Sequence, residues 1–432
     1  RIAGIQVKGA NGTIGGSTRV LIRGVNSISG DNRPLYVVDG TPIQNSNFNS
    51  VSTQRSQGGI DYGDLSADIN QDDIESINVL KGPAASALYG SRGANGVIMI
   101  TTKKGKANRT TVELNTSLTF NKVYVLPDYQ NEYGGGYSQT FNTFDFDPSR
   151  HPAEWAAFQG QNIPNYGADE SWGPKLDGTL VRHWDSWLPG DPSFGELRPW
   201  TANPDNVRDF YETGITQNYN AAISGGTEDT QYRLSMGRTD EDGIMPNSSR
   251  KVNSISLNGT HRINDKFTTS ASINYIYTKI KGRPTVGYDF NNGKNVAVSF
   301  NQWFQRQVDM NRLQRKYKSP TGVAQSWNIR SPTDTRPNYW DNPYWIVNES
   351  FTEDVRDRVY GNVNLTYNVT DHLSMSVIGR TDFYTFTAED RTASGSLATE
   401  YYSEYVRQGR EDNFEFLTTY NNSFNDFDVT VN

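Results

Sequence analysis

Residues 74–105 decide the fold, and they read IESINVLKGPAASALYGSRGANGVIMITTKKG. Residues 77–80 are predicted to be a strand, and 84–89 a single helical turn entered at Pro83, because proline is tolerated at the first helical position. A turn bearing two glycines then leads into Val97–Thr102, which is predicted to be a second strand. The stretch therefore predicts strand, helix, turn and strand in a small α/β unit.

Further elements are predicted upstream of this stretch. Residues 20–24 form a short strand closing on glycine, and residues 34–40 form an apolar strand that ends in an Asp-Gly turn. Residues 70–77 are predicted to be a short helix, because Asn70 is a favourable cap and acidic residues fill the first turn. Together these elements predict an α/β domain over residues 1–104.

The sequence changes to a period of two after Lys106. In residues 266–277, apolar Ile273 and Tyr275 alternate with polar Ser272 and Asn274, as in a strand with one apolar and one polar face. The polar faces are mostly uncharged, which suits a hydrated lumen, so residues 105–432 are predicted to be the first part of an antiparallel transmembrane β-barrel. The predicted strands are 109–121, 215–224, 228–239, 250–263, 266–280, 356–369, 371–386, 411–424 and 426–432.

The connections between these strands alternate in length. Outer-membrane barrels place short turns in the periplasm and long loops outside the cell. The alternation therefore predicts a bacterial outer-membrane location, with lipid around the strands. The long connections are 122–214, 240–249, 281–355 and 387–410, and the short ones are 225–227, 264–265, 370–371 and 425–426.

All nine tryptophans lie in the two longest loops, 122–214 and 281–355. Loops of this length are usually functional when they occur in compact proteins. Two interpretations stay open at this point: the tryptophans form small cores of the loops themselves, or they contact a ligand.

Composition excludes several classes of protein. Only 34% of residues are apolar and the mean hydropathy is −0.70, and no run approaches the ~20 apolar residues of a transmembrane helix. There is no cysteine, so disulfides and thiolate metal sites are excluded. The net charge of −7 argues against binding to nucleic acid, which normally requires a basic surface.

Catalysis is not expected from this sequence. The four histidines are scattered without metal-ligand spacing, and no HExxH, GxSxG or Walker A sequence occurs. A glycan-degrading enzyme stays as an alternative, because such enzymes use two carboxylates and acidic clusters are present. Residues 240–243 (Asp-Glu-Asp-Gly) resemble the start of a calcium loop without its later ligands, so no cofactor is expected and calcium is the alternative.

Two blocks of sequence carry a resemblance to a known family. Residues 34–43, together with Arg23 and Gly24, and residues 74–105 resemble the plug signature of the SusC/RagA family of TonB-linked outer-membrane proteins. The second block is also similar to the wider pattern of TonB-dependent plugs, in which Lys81 takes a place often held by arginine. The blocks cover most of residues 19–105. For the remainder of the chain, only the alternating strand pattern of a barrel supports the resemblance.

The resemblance implies a barrel of about 22 strands whose lumen is filled by the plug. It implies, in Bacteroidetes, import of ligands with a SusD-like lipoprotein on the extracellular face and energy from TonB on the periplasmic side. The TonB-contacting box and the remaining strands are expected outside this sequence. Oligosaccharides are the expected cargo and peptides the alternative; a surface adhesin or structural barrel would not require a plug.

The plug signature also supplies candidate functional residues. Arg23, Glu75, Lys81 and Arg92 are predicted to form ion pairs between plug and barrel wall, the alternative being ordinary surface charges that contribute ~0–1 kcal/mol. The other signature positions shape turns and the short helix. They are Asp39, Gly40, Gly82, Pro83, Tyr89, Gly90 and Gly96.

The expected ligand contacts come from one plug segment and from the loops. Residues 45–62 form a polar, glycine-bearing segment with two aromatic rings, and a ligand site is expected there unless the segment is a solvated connector. Aromatic rings on the loops would cover apolar ligand surface. The candidate residues are Asn47, Phe48, Asn49, Tyr62, Trp303 and Trp340.

Overall fold

The computed structural model describes residues 3–9, 12–27, 32–45, 47–288, 294–424 and 427–432. Its N-terminal part contains six strands: β1 (Ile5–Gly9), β2 (Thr18–Ile22), β3 (Leu35–Val38), β4 (Thr41–Ile43), β5 (Ile74–Leu80) and β6 (Val97–Thr102). Two α-helices accompany them, α1 (Val51–Gln54) and α2 (Pro83–Tyr89). The predicted helical turn after Pro83 and the strand Val97–Thr102 are confirmed.

The plug sheet has the order β4-β3-β6-β5, in which β3 and β6 are parallel and the other pairs antiparallel. One face packs on α2 through Val37, Ala85 and Val97. The opposite face is also buried, because Val38 and Ile100 pack in one cluster with residues of the barrel wall. Strands buried on both faces read as continuous apolar runs, which explains the unbroken run in β3.

The helix predicted over residues 70–77 is wrong beyond its first turn. Asn70 does cap a turn, since its side chain accepts a hydrogen bond from the Asp72 N–H at 3.1 Å, but the turn is a 3-10 helix over Gln71–Asp73. Ile74 already begins β5, opposite Thr102. The ladder with β6 supplies backbone hydrogen bonds from that residue onward, and it outcompetes a second helical turn.

The remaining strands confirm the predicted antiparallel barrel strands. Nine of them form one antiparallel sheet in the order β21-β20-β19-β18-β15-β14-β13-β12-β7, so every neighbour in the sheet is also the next wall strand along the chain. These nine are β7 (Thr111–Asn121), β12 (Gly214–Gly226), β13 (Thr230–Asp242), β14 (Ser249–Arg262), β15 (Phe267–Lys281), β18 (Thr352–Asn368), β19 (Leu373–Thr392), β20 (Tyr401–Phe424) and β21 (Phe427–Val431). Short pairs within the loops are β8 (Asn142–Thr143) with β9 (Asn162–Ile163), β10 (Leu180–Val181) with β11 (Arg198–Pro199), and β16 (Ile329–Ser331) with β17 (Asp334–Pro337).

Two of the predicted long connections are shorter than expected. The connection predicted over 240–249 spans only 243–248, and the one predicted over 387–410 spans only 393–400. The cause is continued pairing: Asp390 still lies opposite Ser403, so β19 and β20 run past the predicted boundary. The turn predicted at 425–426 lies outside the described residues.

The alternation of side chains follows the predicted faces. On β15, Ile273 and Tyr275 are exposed on the outer surface of the sheet, whereas Ser272 and Asn274 are buried on the inner surface. The inner surface lies against the plug, because the Ser272 hydroxyl donates to the Asp39 carboxylate at 3.1 Å. The nine strands therefore form a wall curved around the plug.

The two long loops, 122–213 and 282–351, pack on each other around an aromatic core. Trp155, Trp184, Trp187 and Trp327 belong to this core together with Phe210, so these four tryptophans pack inside the loops. Four helices lie in the loops: α3 (Asn206–Phe210), α4 (Val296–Gln302), α5 (Met310–Arg315) and α6 (Pro343–Glu349). Within the described ranges, none of the helices is long and apolar enough to cross a membrane.

Candidate functional site between plug and loops

The plug segment 45–62 is folded back on itself, with Asn49, Ile60 and Asp61 buried and most of 50–57 exposed; Ser46 lies outside the described residues. The Asn49 amide donates to the Asp61 carboxylate at 2.5 Å and accepts from the Tyr62 N–H at 2.8 Å. Asn47 accepts from the Asn49 N–H at 2.7 Å. These bonds join the two ends of the segment, so its side chains have fixed positions at the top of the plug.

The two aromatic rings of the segment contact the barrel wall. Phe48 stacks on Phe386 of β19 with ring centroids 4.3 Å apart, and Tyr62 meets the same ring edge-on at 5.6 Å. Tyr384 of β19 touches the other side of Phe48 at 5.7 Å, and the Arg407 guanidinium lies over Phe48. Burial raises the pKa of the Tyr62 hydroxyl. Both predicted ligand-contact rings therefore fasten the plug to the wall.

Replacing Phe48 and Tyr62 together with alanine is expected to loosen the top of the plug. Removing two packed rings from a shared aromatic cluster costs about 3–5 kcal/mol per fully buried ring and less for half-buried ones. Thermal unfolding of the full-length transporter, with limited proteolysis of the plug, measures the effect. Tyr124→Ala is the matched control because Tyr124 is 91% exposed; equal melting temperatures in both variants would contradict the wall contact.

Arg283 clamps two plug segments to the base of the second long loop. Its guanidinium pairs with Asp354 of β18 at 2.5 Å. The same group donates to the backbone carbonyls of Ile14 at 3.0 Å and Asp61 at 2.7 Å, and also to those of Gly15 and Tyr62. Five acceptors around one buried guanidinium make this a rigid junction of plug, wall and loop.

The chain that follows Arg283 adds backbone bonds to the plug. Thr285 forms an isolated antiparallel bridge with Ile60, and the Val286 N–H donates to the Gly59 carbonyl at 2.8 Å. Gly15 approaches the wall so closely that a Cβ there would lie 2.6 Å from Ile280. The loop base and the plug top are thus a single hydrogen-bonded unit.

A cavity of about 810 Å³ lies beside this junction. Plug residues 12–16 form one wall, loop residues 284–287 and 295–297 form another, and the ends of β13 and β14 form the third. Glu241 and Arg250 in the third wall neutralise each other in an ion pair of 2.7 Å. The lining therefore offers backbone groups, hydroxyls, amides and the Asp242 carboxylate beside apolar patches, and it contacts plug and loops at the same time.

Buried ion pairs join the plug to the wall below this cavity. Asp68 of the plug accepts from Arg356 at 3.0 Å and from Arg358 at 3.2 Å. Arg358 also binds Asp382 through two bonds of 2.9 Å and donates to the carbonyls of Leu65 and Gln44. A second network pairs Arg233 of the wall with the plug carboxylate Asp73 at 3.2 Å.

Of the four plug residues predicted to form ion pairs with the wall, one does so in the described residues. Arg92 pairs with Glu411 of β20, whereas Lys81 donates to the Ala3 carbonyl at 2.6 Å within the plug. Arg23 and Glu75 form no ion pair with any residue that the structure describes. In most of the buried pairs the wall supplies the arginine and the plug supplies the aspartate, and these aspartates are not among the four predicted residues.

Arg356 and Arg358 were not among the predicted site residues, although their positions in the sequence are informative. Arg356 and Arg358 occupy alternate positions of one strand, on the face predicted to be polar and mostly uncharged. Two arginines at adjacent inward positions require buried carboxylates, since an unpaired buried charge is very costly. That pattern indicates an acidic partner on the plug, although it does not identify Asp68.

The other signature residues hold the plug backbone. Asp39 adopts a φ of +46° in the turn before Gly40, and its carboxylate accepts from the Thr102 N–H at 2.9 Å. Gly82 and Gly90, with φ of +63° and +59°, bracket the helix that begins at Pro83. The remaining two signature positions are Tyr89, which ends that helix, and Gly96, whose missing Cβ leaves room for Ile22.

The loop tryptophans predicted to contact ligand have partners within the loops or flank a loop helix. The Trp340 indole donates to Asp169 at 2.8 Å and packs against the loop core. Trp303 follows α4 and is half-buried. Among the described residues, the ring contacts of Phe48 and Tyr62 are made with Tyr384 and Phe386, so ligand contact by Trp303 and Trp340 stays a prediction.

Two of the three carboxylates of the calcium-like stretch bind arginines. Asp240 pairs with Arg238 at 2.6 Å, and Glu241 pairs with Arg250. Across the described parts of the chain, no group of three or more potential metal ligands comes together.

Comparison with known proteins agrees with this architecture. Residues 1–97 match the TonB-dependent Receptor Plug Domain family. TonB-dependent receptor SusC of Bacteroides thetaiotaomicron is 30% identical over 259 residues, covering 60% of this chain and 20% of that protein. TonB-dependent receptor P3 of Formosa agariphila is 27% identical over 422 residues, covering 98% of this chain and 33% of that protein.

Solved structures share the fold. The RagAB peptide importer in its open-open state superposes with a TM-score of 0.68 at 20% identity, covering 100% of this chain and 43% of the matched chain. A plug domain set against an antiparallel wall of strands defines a TonB-dependent receptor. Within that class the chain is the plug and part of the barrel of a SusC/RagA-like receptor. It spans about a fifth to a third of the length of the curated relatives named above, which are receptors rather than enzymes.

Proposed function

We propose that the full-length protein imports oligosaccharides across the bacterial outer membrane with energy from TonB. The observation that carries the proposal is the cavity of about 810 Å³ whose walls come from the plug and from the long loops together. A ligand held there touches the element that must move to open the channel. Hydroxyl, amide and backbone groups beside apolar patches suit the hydroxyls and the apolar ring faces of a sugar.

The outer surface of the wall supports a location in lipid. Apolar side chains are exposed on strand after strand at alternate positions, in the arrangement that lipid-facing strands show. Charged side chains of the same strands, such as Arg233 and Arg358, are buried on the plug side. The exposed set includes Leu114, Leu118, Ile223, Met236, Ile255, Leu257, Ile273, Val363, Leu365 and Val377.

Uptake by cells tests the proposed cargo. Cells that carry the full-length transporter are expected to accumulate a fluorescently labelled neutral oligosaccharide, and deletion of TonB is expected to abolish the accumulation. A labelled peptide pool is the comparison, because RagAB, whose fold this chain shares, is a peptide importer. Accumulation of peptides without oligosaccharides would replace the proposed cargo, and accumulation without TonB would overturn the mechanism.

A SusD-like surface lipoprotein is the proposed partner, resting on the long loops. A stable complex buries about 1,600 Å² in total, and loops 122–213 and 282–351 offer a structured surface because they share one core. Affinity purification of the full-length transporter from its native membrane is expected to recover such a lipoprotein. Deletion of residues 320–323, an exposed loop tip, is the control and is expected to leave the recovery unchanged; a transporter that imports fully while purifying alone would contradict the partnership.

A further inference from the structure

The pair of long loops encloses a second cavity, separate from the one beside the plug. It has a volume of about 250 Å³ and is lined by residues of both loops. Three of its lining side chains are indoles, from Trp184, Trp200 and Trp327. This volume is below the ~300–1,000 Å³ typical of pockets for drug-sized ligands, so the cavity accommodates about one ring.

The charges in the wall of this cavity are already neutralised. Arg198 and Arg312 both line it, and both bind the fully buried carboxylate of Asp185, at 3.1 and 2.9 Å. Lys316 adds a third cation to the same carboxylate, and it also binds Asp191. The cations therefore have partners inside the protein, which leaves little attraction for an anionic ligand.

One lining group is a free hydrogen-bond acceptor. Burial lowers the pKa of the His183 ring to about 4, so the ring is neutral at physiological pH. The backbone of Pro199, whose only polar group is a carbonyl, and the backbone of Arg198 both favour a proton on this ring. Because Nε2 is the ring nitrogen left without a partner among the described residues, Nδ1 carries the proton and Nε2 presents its lone pair.

A second lining group is a free donor. Trp327 is 3% exposed, and its Nε1–H finds no acceptor in the described part of the chain. Buried polar groups are normally hydrogen-bonded, so an unsatisfied donor and an unsatisfied acceptor around one cavity call for a ligand that has both functions. A hydroxyl group donates and accepts at once.

We infer that this loop cavity is a binding subsite for a single ring of a neutral sugar. The indoles cover the apolar face of the ring, while hydroxyls bond to His183 and Trp327. The subsite rests on the proposed import of oligosaccharides and deepens it, because it gives the loops a sugar contact distinct from the cavity at the plug.

The test uses the purified full-length transporter and measures binding of free sugars by saturation-transfer NMR. The probes are D-glucose, D-galactose, D-mannose and D-xylose, with D-glucuronate and glycylglycine for comparison. At least one neutral sugar is expected to bind, with glucuronate and the dipeptide weaker. Trp327→Phe, which keeps the ring and removes the donor, is expected to weaken binding at least fivefold.

Two further variants keep the test decisive. Trp155→Phe is the matched control, because Trp155 is a buried loop-core indole whose Nε1–H likewise has no partner in the described residues but does not line the cavity. Thr201→Trp fills the cavity from an exposed position at its edge, without touching the core, and is expected to abolish binding. Equal losses in the two Trp→Phe variants, undiminished binding in Thr201→Trp, or no binding of any neutral sugar would overturn the subsite.

The outcome is separable from the proposed function. Oligosaccharide uptake without Trp327-dependent sugar binding refutes the subsite and leaves the import proposal standing. Peptide uptake together with Trp327-dependent sugar binding refutes the proposed cargo and leaves the subsite standing.

Discussion

Replacing Arg358 with alanine is expected to unseat the plug from the barrel wall. The variant removes both bonds to Asp382, one to Asp68 and two to backbone carbonyls in a site with no access to water. Breaking a buried ion pair by deleting one partner costs about 3–5 kcal/mol, because the other charge stays buried. We expect a lower thermal unfolding temperature of the full-length transporter and rapid proteolysis of its plug.

A matched arginine elsewhere in the wall separates this effect from general loss of charge. Arg238 of β13 also pairs with an aspartate, at 2.6 Å, but its side chain is 57% exposed. Such exposed pairs contribute ~0–1 kcal/mol, so Arg238→Ala is expected to melt like the unmodified protein. Arg358→Lys is expected to be intermediate, because an ammonium group cannot reproduce the planar bidentate contact. Similar behaviour of Arg358→Ala and Arg238→Ala would show that the network does not hold the plug.

Replacing Arg283 with alanine is expected to release the top of the plug from the loop base while the plug sheet stays folded. Four backbone carbonyls and Asp354 lose their donor together. Hydrogen–deuterium exchange of the full-length transporter measures this locally. The amides of residues 12–16 and 59–63 are expected to exchange roughly 100-fold faster or more, as the loss of a buried pair implies.

The same experiment contains its own internal comparison. Amides of β3 and β6 are expected to keep their protection, since their sheet is buried independently of Arg283. Arg330→Ala is the control variant, because Arg330 lies in the same long loop with 45% of its side chain exposed. Equal exchange at residues 59–63 in the two variants would contradict the clamp.

The strands of the wall were predictable because alternation is a local property of the sequence. Ser272 and Ile273 point to opposite faces whatever the rest of the chain does. Strand ends were less predictable, since they depend on a partner: residues 401–410 show no clear alternation and are strands because they pair with 383–392. The length of the helix before β5 was overpredicted for the same reason, because β6 determines where β5 begins.

The contacts between plug and wall were beyond the reach of local patterns. Asp68 and Arg356 are separated by 288 positions, and the sequence around either residue does not identify the other as its partner. Arg92 and its carboxylate Glu411 are separated by 319. Phe48 was predicted to contact ligand at the top of the plug, whereas its stacking on Phe386 depends on how the sheet places β19 beside it. Likewise, the tryptophans of the loops were recognisable as a group, but only tertiary packing places Trp184 and Trp327 in the core and at the loop cavity as well.

The shared core of the two long loops has a consequence for how such receptors diversify. Because these loops pack chiefly on each other, they can be exchanged between relatives as one cassette, in the way that antibody loops are grafted onto a constant framework. A successful graft has to carry both loops and to retain residues 283–286, whose bonds to Ile14, Gly59 and Asp61 form the seam with the plug. Transplanting one loop alone would split the aromatic core and leave each half without its complement.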